Sequence, residues 1–241
     1  MKCARTMMLS LLIAASLSFP YSFSAWTSMT GANTFAVTPF FYFAPVGSAT
    51  EDLDINADAV IGYGFTDKID MFVNLATFNL KSDPGAYSNT WIMPRYDLGK
   101  NNIVAAQIGL EQNANNDLKV YGGPHYHFFW ENDRCAMELN ALALFHADSL
   151  IPTTASIYAA PVYKLLPNVL YPFFEVDPTY TFGSGGGLDF VLAPGIWIGI
   201  PNTPHQFSVS VPLSGIKDGN ISAGIYAWYW ASFSLGGEKK E

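Results

Sequence analysis

Residues 69–75 read Ile-Asp-Met-Phe-Val-Asn-Leu, and the turn-forming residues Lys81-Ser82-Asp83-Pro84-Gly85 follow soon after. Ile, Met, Val and Leu fall on one parity of this stretch, while Asp70 and Asn74 fall on the other. This alternation is typical of a β-strand with one apolar and one polar face. The same rhythm of strand and turn recurs about a dozen times between Ala25 and Leu235, so it predicts an all-β chain of hairpins.

The candidate strands are residues 34–44, 54–65, 69–80, 88–98, 103–113, 118–130, 135–147, 157–166, 169–181, 188–200, 206–213 and 221–235. Tight turns such as Gly99 to Asn102 alternate with generally longer loops such as Pro45 to Asp52. Short periplasmic turns alternate with longer external loops in outer-membrane barrels, whose strand number is even. Residues 25–241 are therefore expected to form one up-and-down antiparallel transmembrane β-barrel of about twelve strands, with both termini periplasmic.

The first 24 residues have the composition of a cleaved signal peptide. Lys2 and Arg5 precede an apolar run from Met7 to Phe19, and Ser22-Phe23-Ser24 offers small residues for cleavage. The alternative is an anchoring transmembrane helix, but the run is short for a span and Pro20 ends it. A secreted chain with barrel patterning is expected in the outer membrane of a bacterial cell.

The composition agrees with a membrane barrel and excludes some partners. Half of the residues are hydrophobic and 13% are charged, which is few charges for a soluble β-protein. The net charge of −8 argues against nucleic acid as a partner. Beyond the signal peptide Cys135 is the one cysteine, so no internal disulfide is expected. The expected surroundings are outer-membrane lipids.

A proline recurs in a similar position on four of the predicted strands that lead into a tight turn. The stretches are Met93 to Tyr96, Gly123 to Tyr126, Ala160 to Tyr163 and Ala193 to Ile196, each with proline second. Regular recurrence of this kind indicates a hairpin array. Because proline has no N–H for a β-ladder, we expect a β-bulge at each of these positions.

Residue parity within each strand predicts which side chains point into the barrel. The candidate lining residues are Arg95, Asp97, Glu111, Lys119, His125, His127, Glu138, Lys164, Glu175, Asp177 and Trp228, and the same parity places Asp58, Asp70, Asn74, Gln107, Asn140, His146 and Asp189 inside. A cation facing lipid at mid-bilayer costs about 2–4 kcal/mol, so this orientation is strongly favoured.

Two interpretations of the interior remain open. One is a narrow water-filled pore. The other is a crowded interior in which Arg95 and Lys119 neutralise Glu111, Asp97 or Glu138 on neighbouring strands. Small barrels are filled by side chains while large ones hold channels, and twelve strands lie between these limits.

Enzymatic and metal chemistry have little support in the sequence. A barrel hydrolase with a serine and a histidine two residues apart on an outward face is not indicated, because no histidine here has such a serine. His125 and His127 share a face and, with Glu111 or Glu138, are a weak candidate for a metal site. We expect them to be ordinary lining residues, and we expect no catalytic residue, no metal and no cofactor.

The hairpin from Ile61 to Asp70, with the sequence Ile-Gly-Tyr-Gly-Phe-Thr-Asp-Lys-Ile-Asp, resembles hairpins of small Gram-negative outer-membrane channel proteins. The resemblance extends over the mature chain as a pattern, without pointing to one named family, so it transfers no functional residue. It implies handling by the barrel-assembly machinery, which reads a terminal aromatic residue. Phe233 is expected to fill that role, although a short tail follows it.

The expected function is an outer-membrane channel for passive or weakly selective diffusion of small polar solutes. A non-conducting barrel with a structural or surface-interaction role is the first alternative. An outer-membrane lipid hydrolase and a soluble β-barrel that binds an apolar ligand rank below it.

Overall fold

The computed structural model describes residues 29–46, 54–79, 89–112, 117–148, 152–183 and 185–235. The predicted signal peptide and the tail after residue 235 lie outside these ranges. The strand segments are β1 (Thr34–Val46), β2 (Asp54–Gly64), β3 (Ile69–Asn79), β4 (Asn89–Gly99), β5 (Asn102–Gln112), β6 (Leu118–Glu131), β7 (Cys135–His146), β8 (Thr154–Tyr163), β9 (Leu170–Thr181), β10 (Gly187–Gly199), β11 (His205–Ser210), β12 (Leu213–Ser214) and β13 (Ser222–Ser234). No helix among the described residues has the length and hydrophobicity needed to span a membrane.

The strands form a closed antiparallel barrel. Each strand pairs with its neighbour in the chain, and β1 pairs with β13 from Thr34↔Ser234 to Val46↔Ala223. β11 and β12 both lie between β10 and β13 and are separated by Val211 and Pro212, so they are two pieces of one strand. The barrel therefore has twelve strands, which confirms the predicted fold.

Both described chain ends lie at the end of the barrel that carries the tight turns. Left-handed backbone at Lys100 and Asn101 (φ 54° and 61°) closes one of these turns, as a tight hairpin requires. Strand β8 starts and ends about three residues earlier than predicted, because Leu166 pairs with Leu170 in a turn around Pro167. The apolar pair Leu165-Leu166 resembles a strand end in sequence although it belongs to this turn.

The outer surface of the barrel is an apolar belt. Leu75, Ile108 and Val120 are each more than half exposed, and large apolar side chains of most other strands are also exposed. A soluble monomer rarely exposes an apolar surface of this extent, whereas hydrocarbon requires one. The belt agrees with the transmembrane barrel predicted from the alternating pattern.

The four recurring prolines do not produce the bulges that the sequence predicts. Between β4 and β5 the ladder pairs Ile92 and Arg95 but skips Met93 and Pro94, and the register is unchanged across the gap. The same two-residue gap without a register shift occurs at Pro124, Pro161 and Pro194. Each proline thus removes a ladder hydrogen bond while the strand stays extended, because its missing N–H faces the next strand.

Replacing Pro94 by alanine is expected to stabilise the barrel. The new N–H lies in the gap of the β4–β5 ladder and adds one hydrogen bond, worth about 0.5–1.5 kcal/mol. Pro152→Ala, in an exposed loop, is the control for the greater chain entropy of the unfolded variant. Urea unfolding in detergent measures both. Equal unfolding free energies for the two variants would show that the gap has no energetic cost.

Candidate functional site

Ionisable groups occupy one side of the barrel interior, whereas aromatic side chains lie all around it. Strands β2 to β9 carry the buried charged and amide groups, whereas β1, β10, β11 and β13 contribute Phe40, Trp197, Trp228 and small hydroxyl residues such as Ser208. Trp228, a predicted lining residue, is 2% exposed and lies opposite Phe40 on β1. Among the described residues, the side of the lumen formed by β10, β11, β13 and β1 therefore carries no buried charged group.

Arg95 and Asp70 form a fully buried ion pair on adjacent strands. Register places the two residues directly opposite, and Arg95 Nε and Nη2 donate to Asp70 Oδ1 and Oδ2 at 2.7 and 2.6 Å. Thr30 also donates to Asp70 Oδ2, through its backbone N–H at 2.8 Å and its hydroxyl at 3.0 Å. The guanidinium carbon lies 4.4 Å from the centre of the Phe72 ring. Asp70 is a partner that the sequence interpretation does not assign to Arg95.

A second ionisable contact lies nearer the long-loop end. His146 Nδ1 is 2.7 Å from Glu111 Oε1, and the His146 ring stacks on Tyr121 with a centroid distance of 5.6 Å. Gln107 donates to the Tyr121 hydroxyl at 3.1 Å. Gly109 permits this packing, because a Cβ there would lie 2.6 Å from the Tyr121 ring. Glu111 is thus held by His146, whose ring is in turn supported by Tyr121.

The two predicted histidines belong to a chain of polar contacts across β6 and β7. His127 Nδ1 lies 2.7 Å from Asn140 Oδ1, and Asn140 Nδ2 donates to Glu138 Oε1 at 2.7 Å. The His125 and His127 rings stack at 6.0 Å. Asn140 therefore stands between His127 and Glu138. Within the described ranges, no group of three His, Cys, Asp or Glu side chains is placed to hold a metal ion.

Glu175 and Asp177 are buried carboxyl groups on the same face of β9. Each residue is 2% exposed, and the two carboxyl groups lie close enough to interact with each other. The Glu138 carboxyl on β7 is close enough to interact electrostatically with both. Glu138, Asn140, Tyr158, Ala160 and Glu175 line a narrow void that is too small to hold a water molecule. Carboxyl groups are thus concentrated in this part of the interior.

The remaining predicted lining residues lie at the ends of the barrel. Lys164 binds Glu131 at 2.6 Å at the tight-turn end, where Asp97 accepts a hydrogen bond from the Gly99 N–H. Lys119 lies 3.6 Å from Asp117 at the long-loop end. Asp189 is exposed at this same end, although parity predicts that it points inward. Parity assigns a face but not a height, so it does not distinguish the middle of the lumen from its mouths.

Tyr158 is one of the interior residues that sequence reasoning misses. It is 5% exposed and lines the void beside Glu138 and Glu175. Its parity matches that of Ser156 and Ala160, so the same counting rule could have found it.

The interior is crowded rather than open. Arg95, Glu138, Glu175, Tyr121 and Trp228 are each at most 2% exposed although they point into the lumen. Of the two interpretations open from the sequence, the crowded interior agrees better with this burial, but its ion pairs differ: Arg95 binds Asp70 and Lys119 lies beside Asp117, not beside Glu111, Asp97 or Glu138.

Comparison with known proteins supports the fold. No protein-family model matches the chain, and no curated protein matches its sequence. The structure is similar to the COG4313 outer membrane channel from Pseudomonas putida F1 (TM-score 0.54, 11% identity, 88% of this chain and 100% of that one). It is also similar to the KdgM porin (TM-score 0.54, 10% identity, 82% and 99%) and to a bacterial polysaccharide outer membrane secretin (TM-score 0.51, 8% identity, 87% and 100%). At such low identities the likeness shows a shared barrel fold.

Proposed function

We propose that the protein is a low-conductance channel of the bacterial outer membrane, through which small polar solutes diffuse with a preference for cations. Residues 1–24 are its cleaved signal peptide. Phe233, exposed at the tight-turn end of β13, is the residue that the barrel-assembly machinery reads. The proposal includes no catalytic activity and no cofactor.

The observation that carries this proposal is the chemistry of the two walls of a closed barrel. The outer wall is an apolar belt, while the inner wall carries Asp70, Arg95, Glu138, Glu175 and Asp177. Buried charges are costly, so a barrel that served only as a scaffold would be more stable with an apolar filling. Carboxyl groups outnumber cationic groups in the middle of the lumen, and their oxygens favour the passage of a positive rather than a negative solute.

A non-conducting barrel is the second candidate, and the crowded lumen favours it. Planar bilayers containing the purified protein distinguish the two. A channel gives discrete conductance steps and, in a KCl gradient, a reversal potential that indicates cation preference. A correctly folded protein that shows no conductance would contradict the channel proposal and support the non-conducting barrel.

The mouth residue Lys119 provides a test of selectivity that leaves the buried core intact. Lys119→Glu is expected to change the cation-to-anion permeability ratio roughly twofold at about 0.1 M salt, where electrostatic interactions reach about 10 Å. Lys217→Glu, on an exposed loop near the same end, is the matched control. The same shift in both variants would indicate surface charge rather than passage beside Lys119.

A further inference from the structure

We infer that residues 29–33, which precede β1, form a strap that folds into the tight-turn mouth of the barrel and closes part of it. Release of this strap opens the mouth. The strap ends where β1 begins at Thr34, and it docks on the inner wall formed by β2 and β3. Its closing role rests on the proposed function, because only a channel has a passage to close.

Thr30 makes the contact with the lumen. Its backbone N–H and its hydroxyl both donate to Asp70 Oδ2, at 2.8 and 3.0 Å, and the Arg95 guanidinium binds the same carboxylate. Asp70 is the second residue of β3, at the tight-turn end, yet its side chain is 0% exposed. The strap and Arg95 therefore shield from water a carboxylate that lies close to the mouth. Hydrogen bonds to an ionised acceptor are stronger than those between neutral groups.

The strap lies on the lumen side of β2. Gly64 shares its parity with Val60 and Gly62, which are buried inside the barrel. A Cβ at Gly64 would lie 1.8 Å from the Gly31 carbonyl oxygen, so the strap occupies the space of an inward-pointing side chain. Left-handed backbone at Gly31 and Asn33, with φ of 87° and 55°, folds the strap back from β1 over this wall.

The other contacts of the strap lie at the rim of the barrel. The Ala32 N–H donates to Asp67 Oδ1 at 3.2 Å, and the Asn33 N–H donates to the Gly64 carbonyl at 2.8 Å. The ladders that close the barrel begin after the strap, at Thr34 with β13 and at Phe35 with β2. A short segment held by a few hydrogen bonds at a rim opens at low free energy. The strap can therefore detach while the barrel stays folded.

Gly64→Ala releases the strap without changing any charge, because its Cβ takes the position of the Gly31 carbonyl oxygen. Gly187→Ala, at the long-loop end, is the matched control, since its Cβ would lie 3.1 Å from the flexible end of Lys217. Thr30→Val is the second strap variant. It removes one donor to Asp70, keeps the shape of the side chain, and preserves the test if Gly64→Ala does not fold.

Hydrogen–deuterium exchange of the full-length protein in detergent measures docking independently of conduction. We expect protected strap amides in wild type and in Gly187→Ala. In Gly64→Ala and Thr30→Val this protection is expected to fall about tenfold or more, because a hydrogen bond to a charged group is lost. In planar bilayers the time-averaged conductance of both strap variants is expected to rise roughly twofold or more, since the closed mouth loses population.

Strap amides that exchange as fast in wild type as in Gly64→Ala would overturn the inference. Equal conductance of wild type and a strap variant whose amides are released would also overturn it and leave the channel in place. An equal rise in Gly64→Ala and Gly187→Ala would show general loosening of the barrel and would overturn the closing role. Absence of conductance in all variants would overturn the proposed function and the closing role together.

Discussion

Replacing Arg95 by methionine is expected to lower the free energy of unfolding by about 3–5 kcal/mol, because it leaves the Asp70 carboxylate buried without its partner. Both side chains of this ion pair are 0% exposed, so water cannot replace the guanidinium. The contact with the Phe72 ring is lost in the same variant. Unfolding by urea in detergent, followed by tryptophan fluorescence, measures the change.

Two further variants show whether the effect comes from the unpaired charge. The double variant Arg95→Met/Asp70→Asn removes both charges and is expected to recover much of the lost stability. Lys164→Met removes a mouth cation whose partner Glu131 is half exposed, and it is expected to cost less than about 1 kcal/mol. An Arg95→Met variant as stable as Lys164→Met would contradict a structural role for the buried pair.

The sequence predicts the strands and their faces well, because both follow from the two-residue period of the β-pleat. Polar residues such as Gln107 and His127 are inside, while Ile108 and Phe128 point outward or lie partly exposed, as alternation predicts. Within the described ranges, one predicted strand is discontinuous: it is divided at Val211 and Pro212 into β11 and β12. A period-two pattern does not show where a ladder is interrupted.

The contacts within the lumen could not be predicted to the same extent. The pairing of Asp70 with Arg95 depends on the register between β3 and β4, and the intervening loop does not reveal that register in sequence. Parity gives the face of a strand on which a residue lies but not its height in the barrel. It therefore could not show that Lys119 and Lys164 lie at the mouths. The β-bulges predicted at the four prolines were wrong for a different reason. An extended strand can lose one N–H group to proline without gaining the extra residue that makes a bulge.

Replacing Ile108 by arginine is expected to destabilise the barrel in lipid bilayers by about 2–4 kcal/mol, because the charge faces hydrocarbon at mid-height. Ile108 is 58% exposed on β5 and lies opposite Ile92, another exposed residue of the apolar belt.

Leu98→Arg is the matched control for this substitution, since Leu98 is 59% exposed but lies at the tight-turn end of β4. Near the membrane interface the same charge costs about 0–1 kcal/mol. Urea unfolding from phospholipid vesicles compares the two variants with wild type. A soluble barrel would tolerate arginine at either exposed position within about 0.5 kcal/mol. Equal stability of the Ile108 and Leu98 variants would therefore contradict a hydrocarbon environment around the belt, and with it the outer-membrane location on which the channel proposal depends.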